Sequence, residues 1–322
     1  MGYLKTARDF YRQAAEVPDA GLCCTTNPTW SLPDLEIPET MLEMNYGCGT
    51  TVHPRDLANA PQVLYVGVGG GMELLQFAYF SRREHAILGI EPVAEMRQAA
   101  VRNLQEAARR NAWFEESFVS LRAGDALDLP VEAGTVDVVA QNCLFNIFKE
   151  ADLRRALAET FRVLGPHGRF VTSDPIAPRS LPEHLKQDER LRAMCLSGAI
   201  TYQRYMDLLV EAGFGTIEVR ARRPYRVLDP AHFEVDHPIL LESIEVAAIK
   251  DPIPEDGPCV FTGRTAIYFG DDEVFDDDHG HLLRRNMPAA VCDKTAGQLE
   301  SLERPDILVT SPTWHYDGGG CC

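Results

Sequence analysis

Nowhere in the 322 residues does an apolar run approach the roughly 18 residues that a membrane-spanning helix needs. The opening stretch, MGYLKTARDFYRQAAEV, is polar and amphipathic and holds no signal-peptide core. Gly2 and Thr6 satisfy the short myristoylation pattern, but no polybasic patch follows, and Tyr3 and Leu4 read as a helix start. Positive charge is scarce: 31 Lys and Arg stand against 48 Asp and Glu, a net charge of −17. Such a surface repels phosphate backbones and anionic lipid, so neither nucleic acid nor membrane is expected as a partner. No two cysteines fall in C-x-x-C spacing, and no Cys/His spacing resembles a zinc finger. The nine cysteines are an odd number in a chain without an export signal, which predicts free thiols in the reducing cytoplasm rather than a disulfide framework. No internal repeat is present.

What the sequence does contain, from residue 61, is alternating β and α pattern. QVLYVGVGGGMELLQFAYF predicts a buried strand over Val63–Val66, a glycine turn, and a helix from Met72. HAILGIEPVAEM predicts a second strand ending at Glu91, followed by a helix through Arg110. SFVSLRAGDALDLP gives a third strand and TVDVVAQNCLF a fourth. A helix over ADLRRALAETFRVLGPHG, closed by Gly165–Pro166, leads to a fifth strand, RFVTSDP. TYQRYMDLLVEAGFGTIEVRARRPYRVL reads as a helix, a turn and a sixth strand, and PILLESIEVAAIKDP as a seventh. Short apolar strands alternating with amphipathic helices predict an α/β fold with a doubly wound, mostly parallel sheet.

In that fold a ligand lies outside the carboxyl ends of the strands. Gly67, Gly69 and Gly71 follow the first strand, where a tight turn brings backbone close to a ligand. Alone they would equally serve strand-to-helix packing. Glu91 ends the second strand, 20 residues after Gly71, the spacing of a carboxylate that accepts from ribose hydroxyls. Asp125 follows the third strand, where its carboxylate and the Ala126 amide are placed to read an adenine edge. Together these predict a nucleoside-bearing cofactor.

GDALDLP after the third strand, with TVDVVAQN as the fourth, resembles the Rossmann-like class I S-adenosylmethionine-dependent methyltransferases. The resemblance implies S-adenosylmethionine as cofactor, with Asn142 and Cys143 at its reactive end. One departure stands out: the family's acidic residue two positions before the first glycine is replaced by Tyr65. The Asn/Asp-Pro-Pro-aromatic run with which amino-methyltransferases hold a flipped base is also missing, since NCLF lacks the prolines.

Three cysteines stand in unusual surroundings. Cys48 lies between two glycines in NYGCGTTVHP, Cys143 follows the fourth strand in NCLFN, and Cys195 lies in LRAMCLSGAI at the end of a helix predicted from Pro182 and closed by Gly198. Each has a plain alternative as a small buried hydrophobe. Taken together, YGCG, NCLFN and CLSGAI resemble the arsenite S-adenosylmethionine methyltransferases. The similarity continues through EDGPCVFTGRTAIYF and GGGCC, and LCCTTNPTW and WHYDGGGCC look most like the microbial branch associated with arsenosugar formation.

The resemblance implies that trivalent arsenic, a soft and thiophilic centre, is held by the Cys48, Cys143 and Cys195 thiolates. It implies that Cys23 or Cys24 works with Cys48, receiving the metalloid or forming a disulfide that thioredoxin or glutathione then reduces. Cys259 and Cys292 read as structural. Cys321–Cys322 read either as a flexible tail or as a capturing pair. The acidic run GDDEVFDDDHGH, with His279 and His281, lacks the spacing of a calcium loop.

Three regions are expected: residues 1–60, carrying thiols; 61–180, binding the cofactor; and 181–322, an arsenic-binding and C-terminal α+β region. Two rival functions remain at this stage. One is methylation of another small molecule such as a quinone or sterol, and the other is a non-catalytic metalloid-binding thiol protein.

Overall fold

The computed structural model describes residues 2–18 and 31–316. Cys23, Cys24, Cys321 and Cys322 lie outside them. The central sheet is built from β1 (Val63–Val66), β2 (Ile87–Ile90), β3 (Val119–Arg122), β4 (Val136–Asn142), β5 (Leu164–Ala177), β6 (Thr216–Leu228), β7 (Ile239–Ile249) and β8 (Cys259–Phe261). Their spatial order is β3-β2-β1-β4-β5-β7-β6-β8, with the short strand Ile200–Thr201 pairing alongside β5. The first five run parallel; β7 inserts antiparallel between β5 and β6, and β8 pairs parallel with β6. All seven expected strands are therefore present in one mixed, mostly parallel sheet.

Alternation along β1 divides the core. Leu64 and Val66 face a cluster with Leu153, Leu157, Phe170 and Leu208, whereas Val63 and Tyr65 face one with Leu74, Phe77, Leu104 and Val138. The helices covering the two faces are α2 (Met72–Ser81) and α3 (Ala94–Arg110) on one side, and α4 (Glu150–Val163) and α6 (Tyr202–Glu211) on the other. A strand buried on both faces reads as an unbroken apolar run, which is why VLYV was legible.

Two element boundaries differ from expectation. α4 ends at Val163, and β5 begins at once with Leu164, so Gly165–Pro166 lies inside the strand. Val136 pairs with Leu164 but Val138 pairs with Arg169, so the residues between bulge out of the β4 ladder. Pro166 has no N–H to give a ladder, and a bulge is where proline is tolerated. The helix expected from Pro182 to Cys195 is instead two five-residue pieces, Glu183–Gln187 and α5 (Glu189–Ala193). The break falls at Asp188, whose side chain turns back to accept from the Arg190 and Leu191 amides as an N-cap.

Beyond β8 a second, three-stranded antiparallel sheet forms from Arg264–Tyr268, Ala289–Val291 and Ile307–Val309, packed by α7 (Asp293–Ser301). The acidic run turns the small ribbon Val274–Asp276/Leu282–Arg284. There His281 Nδ1 meets Asp277 at 2.5 Å and its Nε2 lies 3.2 Å from the Thr295 hydroxyl. Among the described residues no helix is long and apolar enough to cross a membrane.

Candidate active site

A cavity opens at the carboxyl ends of β1, β2, β3 and β4, where a doubly wound sheet binds ligands. Its floor is the turn between β1 and α2. Gly67, Gly69 and Gly71 have φ of +79°, +50° and +87°, which an L side chain rarely adopts. A Cβ at Gly69 would meet nothing but the Met44 carbonyl at 3.8 Å, so this stretch of backbone faces open space that a ligand can approach. Glu91, Asp125, Ala126, Asn142 and Cys143 all line the same cavity. The turn, the two carboxylates and the room between them fit a nucleoside-bearing cofactor.

The two carboxylates are in different states. Glu91 is buried, and its side chain accepts from the Val93 amide at 2.9 Å. Burial, only partly offset by that amide, pushes its pKa up to about 7. Asp125 is partly exposed; one oxygen accepts from the Leu127 amide and the other pairs with Arg8 at 2.6 Å.

Arg8 belongs to a wall of the cavity that sequence reasoning missed, α1 (Tyr3–Glu16). Leu4, Ala7, Arg8 and Tyr11 line the cavity from this helix. The Thr6 hydroxyl donates to Glu189, and the Tyr11 hydroxyl donates to the Ala193 carbonyl, so α1 is also fastened to α5. Its amphipathic pattern predicted a helix but could not say against what.

Cys48, Cys143 and Cys195 come from three separate stretches and meet in one buried cluster, with Met44, Tyr46, Ile147 and Ala193. The segment carrying Cys48 is stitched across the strand ends. Its amide donates to Asn142 Oδ1 at 3.0 Å, and Asn142 Nδ2 donates to the Gly49 carbonyl at 2.9 Å. The Cys48 sulfur lies 3.3 Å from the Ser173 hydroxyl. Both flanking glycines are there for space: a Cβ on Gly47 would fall 2.6 Å from Asn142 Nδ2, and one on Gly49 would fall 2.5 Å from Ser173 Oγ and from Glu245 Oε1.

Cys143 and Cys195 share a rarer feature. Both are non-glycine residues in the left-handed region, with φ of +58° and +59°. Such a conformation costs roughly 1–3 kcal/mol and persists where surroundings enforce it, most often at functional sites. The Cys143 amide is held by the Ser173 carbonyl at 2.7 Å, and the Cys195 thiol donates to the Cys143 carbonyl. The turn after Cys195 is pressed onto the loop after Cys143 so closely that a Cβ on Gly198 would lie 1.7 Å from the Asn146 carbonyl oxygen. Among the described residues no three Cys, His, Asp or Glu side chains converge tightly enough to hold a metal ion. The three cysteines therefore share one buried cluster without forming a closed nest.

Under the cysteines lies a buried polar network. Asp174 accepts from the side chains of Gln141, Thr172 and Tyr205, and burial raises its pKa to about 6. Cys259 and Cys292 lie elsewhere, together with Phe261 and Tyr316.

Residues 39–213 match the family model described as a methyltransferase domain. An arsenite methyltransferase of Aquipseudomonas alcaligenes is 31% identical over 289 residues, covering 86% of this chain and 81% of that protein. An arsenite methyltransferase of Halobacterium salinarum is 29% identical over 177 residues, which is 55% of this chain and 43% of that protein. Among solved structures, an arsenic(III) S-adenosylmethionine methyltransferase from Chlamydomonas reinhardtii superposes with a TM-score of 0.61 at 24% identity, covering 88% of this chain and 96% of that one.

Proposed function

The chain belongs to the S-adenosylmethionine-dependent methyltransferases and, within them, to the arsenite methyltransferase family, and on that premise we propose that it methylates trivalent arsenic held by Cys48, Cys143 and Cys195. The observation that carries this reading is that those three cysteines belong to one buried cluster, with Cys143 on the wall of the cofactor cavity. Arsenic is substrate here, and thiolates are its natural soft ligands.

Held along the glycine turn and by Glu91 and Asp125, S-adenosylmethionine would supply an electrophilic sulfonium methyl for the arsenic lone pair and would depart as the thioether. The chain's own share is placement. No general base is needed, because thiolate-bound arsenic carries no proton at the reacting atom. Holding two reactants in line is worth roughly 7–11 kcal/mol of barrier. Cys143 ligates from beside the cavity, and Cys48 and Cys195 ligate from the two segments packed around it. Their thiols turn inward on binding, the Cys195 thiol leaving the Cys143 carbonyl.

Methyl transfer takes arsenic from the +3 to the +5 state. Two thiolates return it to +3 by giving up two electrons and joining as a disulfide, with Cys48 and one of Cys23 and Cys24 as the pair. A thioredoxin- or glutathione-type dithiol resets the enzyme by exchange. The product is a methylated arsenical, for detoxification or as a feed to arsenosugar formation.

The test is methyl transfer from labelled S-adenosylmethionine to arsenite with excess thiol, for the wild type and Cys143→Ser side by side. Labelled methylarsenic from the wild type, abolished in the variant with cofactor binding retained, is the expected result. Equal turnover by both proteins would make the cysteines incidental, and no product from either would remove arsenite as substrate.

A further inference from the structure

Tyr65 lies in β1 just before the glycine turn, and its side chain reaches a buried carboxylate. The Tyr65 hydroxyl donates to Glu73 Oε2 at 2.5 Å. Glu73 is in the first turn of α2, two residues beyond the last glycine of the turn. Its carboxylate also accepts from the Thr51 amide at 2.8 Å, the Thr51 hydroxyl at 2.9 Å and, more loosely, the Thr50 hydroxyl at 3.4 Å. Every one of these donors is neutral. Among the described residues no Lys, Arg or His forms an ion pair with Glu73, although it is 5% exposed. A buried carboxylate is normally paired with a cation, because neutral hydrogen bonds offset only part of the cost of taking its charge out of water.

The other carboxylates nearby are differently occupied. Asp125 is paired with Arg8, and Glu245 with Arg223. Glu91 lies at the end of β2, on the nucleoside side of the cavity. Glu73 and Tyr65 line the cavity on its other side, towards β1 and β4, where Asn142 and Cys143 also lie. The cofactor's sulfonium and ammonium groups are carried on the chain that runs away from its nucleoside, hence towards that side. Burial, and then the carboxylate beside it, pushes the Tyr65 phenol well above its ordinary range. Tyr65 therefore stays a donor to Glu73, with its remaining lone-pair density on the other side of the oxygen.

We infer that Glu73, acting with Tyr65, is the anionic station that recognises the cationic methionine end of the cofactor, placed on the helix that follows the glycine turn. Thr51 ties this station to the segment that carries Cys48, so the cofactor's reactive end and the first arsenic ligand share one hydrogen-bonded support.

The inference rests on the cofactor assignment, and a ligand series separates the two. Calorimetric titration is carried out on the wild type, Glu73→Gln and Tyr65→Phe with S-adenosylmethionine, S-adenosylhomocysteine and methylthioadenosine. The last keeps the nucleoside and lacks the amino-acid part. Glu73→Gln is expected to weaken the first two by about 10- to 100-fold, the worth of a charge-assisted hydrogen bond, and to leave methylthioadenosine within about twofold. Tyr65→Phe keeps the carboxylate and is the second variant should Glu73→Gln fail to fold. It is expected to lose several-fold on the same two ligands only. Equal loss on all three ligands, or no loss on any, overturns the assignment. Failure of the wild type to bind S-adenosylmethionine would instead overturn the cofactor assignment itself.

Discussion

Gly198→Ala is the sharpest structural test of the thiol cluster, because it adds one methyl group at a position where the geometry leaves none. The new Cβ would lie 1.7 Å from the Asn146 carbonyl oxygen and 2.7 Å from its carbonyl carbon. Non-bonded carbon contacts settle near 3.5–4.0 Å, so the turn after Cys195 and the loop after Cys143 must part by an ångström or more. Both partners are backbone, so no side chain can rotate away. Overpacking of this kind costs about 1–3 kcal/mol, which lowers the melting temperature by roughly 1–5 °C in a chain of this size. The functional cost should be larger than the stability cost. A misplacement of about 1 Å can reduce a positioned reaction by about 100-fold, and here it separates two of the three proposed arsenic ligands. The cofactor turn, Gly67 to Gly71, belongs to a different stretch of the chain and meets the moving loop only through its wall at Cys143 and Leu144, so cofactor affinity should fall far less than turnover. The assay pairs a thermal melt with single-turnover methylation and cofactor titration. A folded variant with turnover down about 100-fold and a much smaller loss of cofactor affinity is the expected result. Normal turnover in a folded variant would refute the claim that the Cys143–Cys195 register matters.

Three further predictions follow from separate parts of the molecule. Glu91 has its pKa raised to about 7 by burial; if ribose hydroxyls donate to its ionised form, cofactor affinity falls as pH drops through 7, by up to about tenfold per pH unit, and Glu91→Gln flattens that profile in a titration from pH 5.5 to 8.5. Asp56 is fully buried between Arg220 and Arg169. Burial alone would raise its pKa, but the two guanidiniums outweigh it and hold the carboxyl below its usual range, so its contribution is present at neutral pH and lost as pH falls through the depressed value. Asp56→Asn should cost about 1–3 kcal/mol, read as a lower denaturant midpoint with unchanged slope, because Arg220 loses one of its two carboxylate partners and keeps only Glu218. Ser173→Ala removes the hydroxyl beside the Cys48 sulfur and should weaken arsenite binding several-fold, about 1 kcal/mol, with cofactor affinity unchanged.

The fold was legible because its signals are local. A strand buried on both faces is a short apolar run, and glycines with positive φ announce the turn that follows it, so VLYVGVGGGM marks β1, the turn and the start of α2 without ambiguity. Elements whose limits depend on tertiary contacts were harder. β5 starts early because a bulge against β4 absorbs Pro166, and the segment before Cys195 breaks because Asp188 caps a new helix; neither is visible in periodicity. The site divides the same way. Glu91 could be placed by counting from the glycines, and Asn142 by the end of the fourth strand. α1 as a cavity wall could not, since nothing in its pattern names the surface it covers. Glu73 was reachable in principle: once Tyr65 occupies the usual acidic position, a carboxylate just past the glycine turn is the next place to look. The left-handed backbone of Cys143 and Cys195 leaves no trace in the sequence except the small residues packed nearby.

Arsenic K-edge X-ray absorption on protein carrying one equivalent of arsenite tests the central claim most directly. An all-sulfur shell of three ligands is expected in the wild type, reduced to two in Cys143→Ser and likewise in Cys195→Ser. Oxygen-ligated arsenic in the wild type, or three sulfurs persisting when either cysteine is replaced, would contradict it.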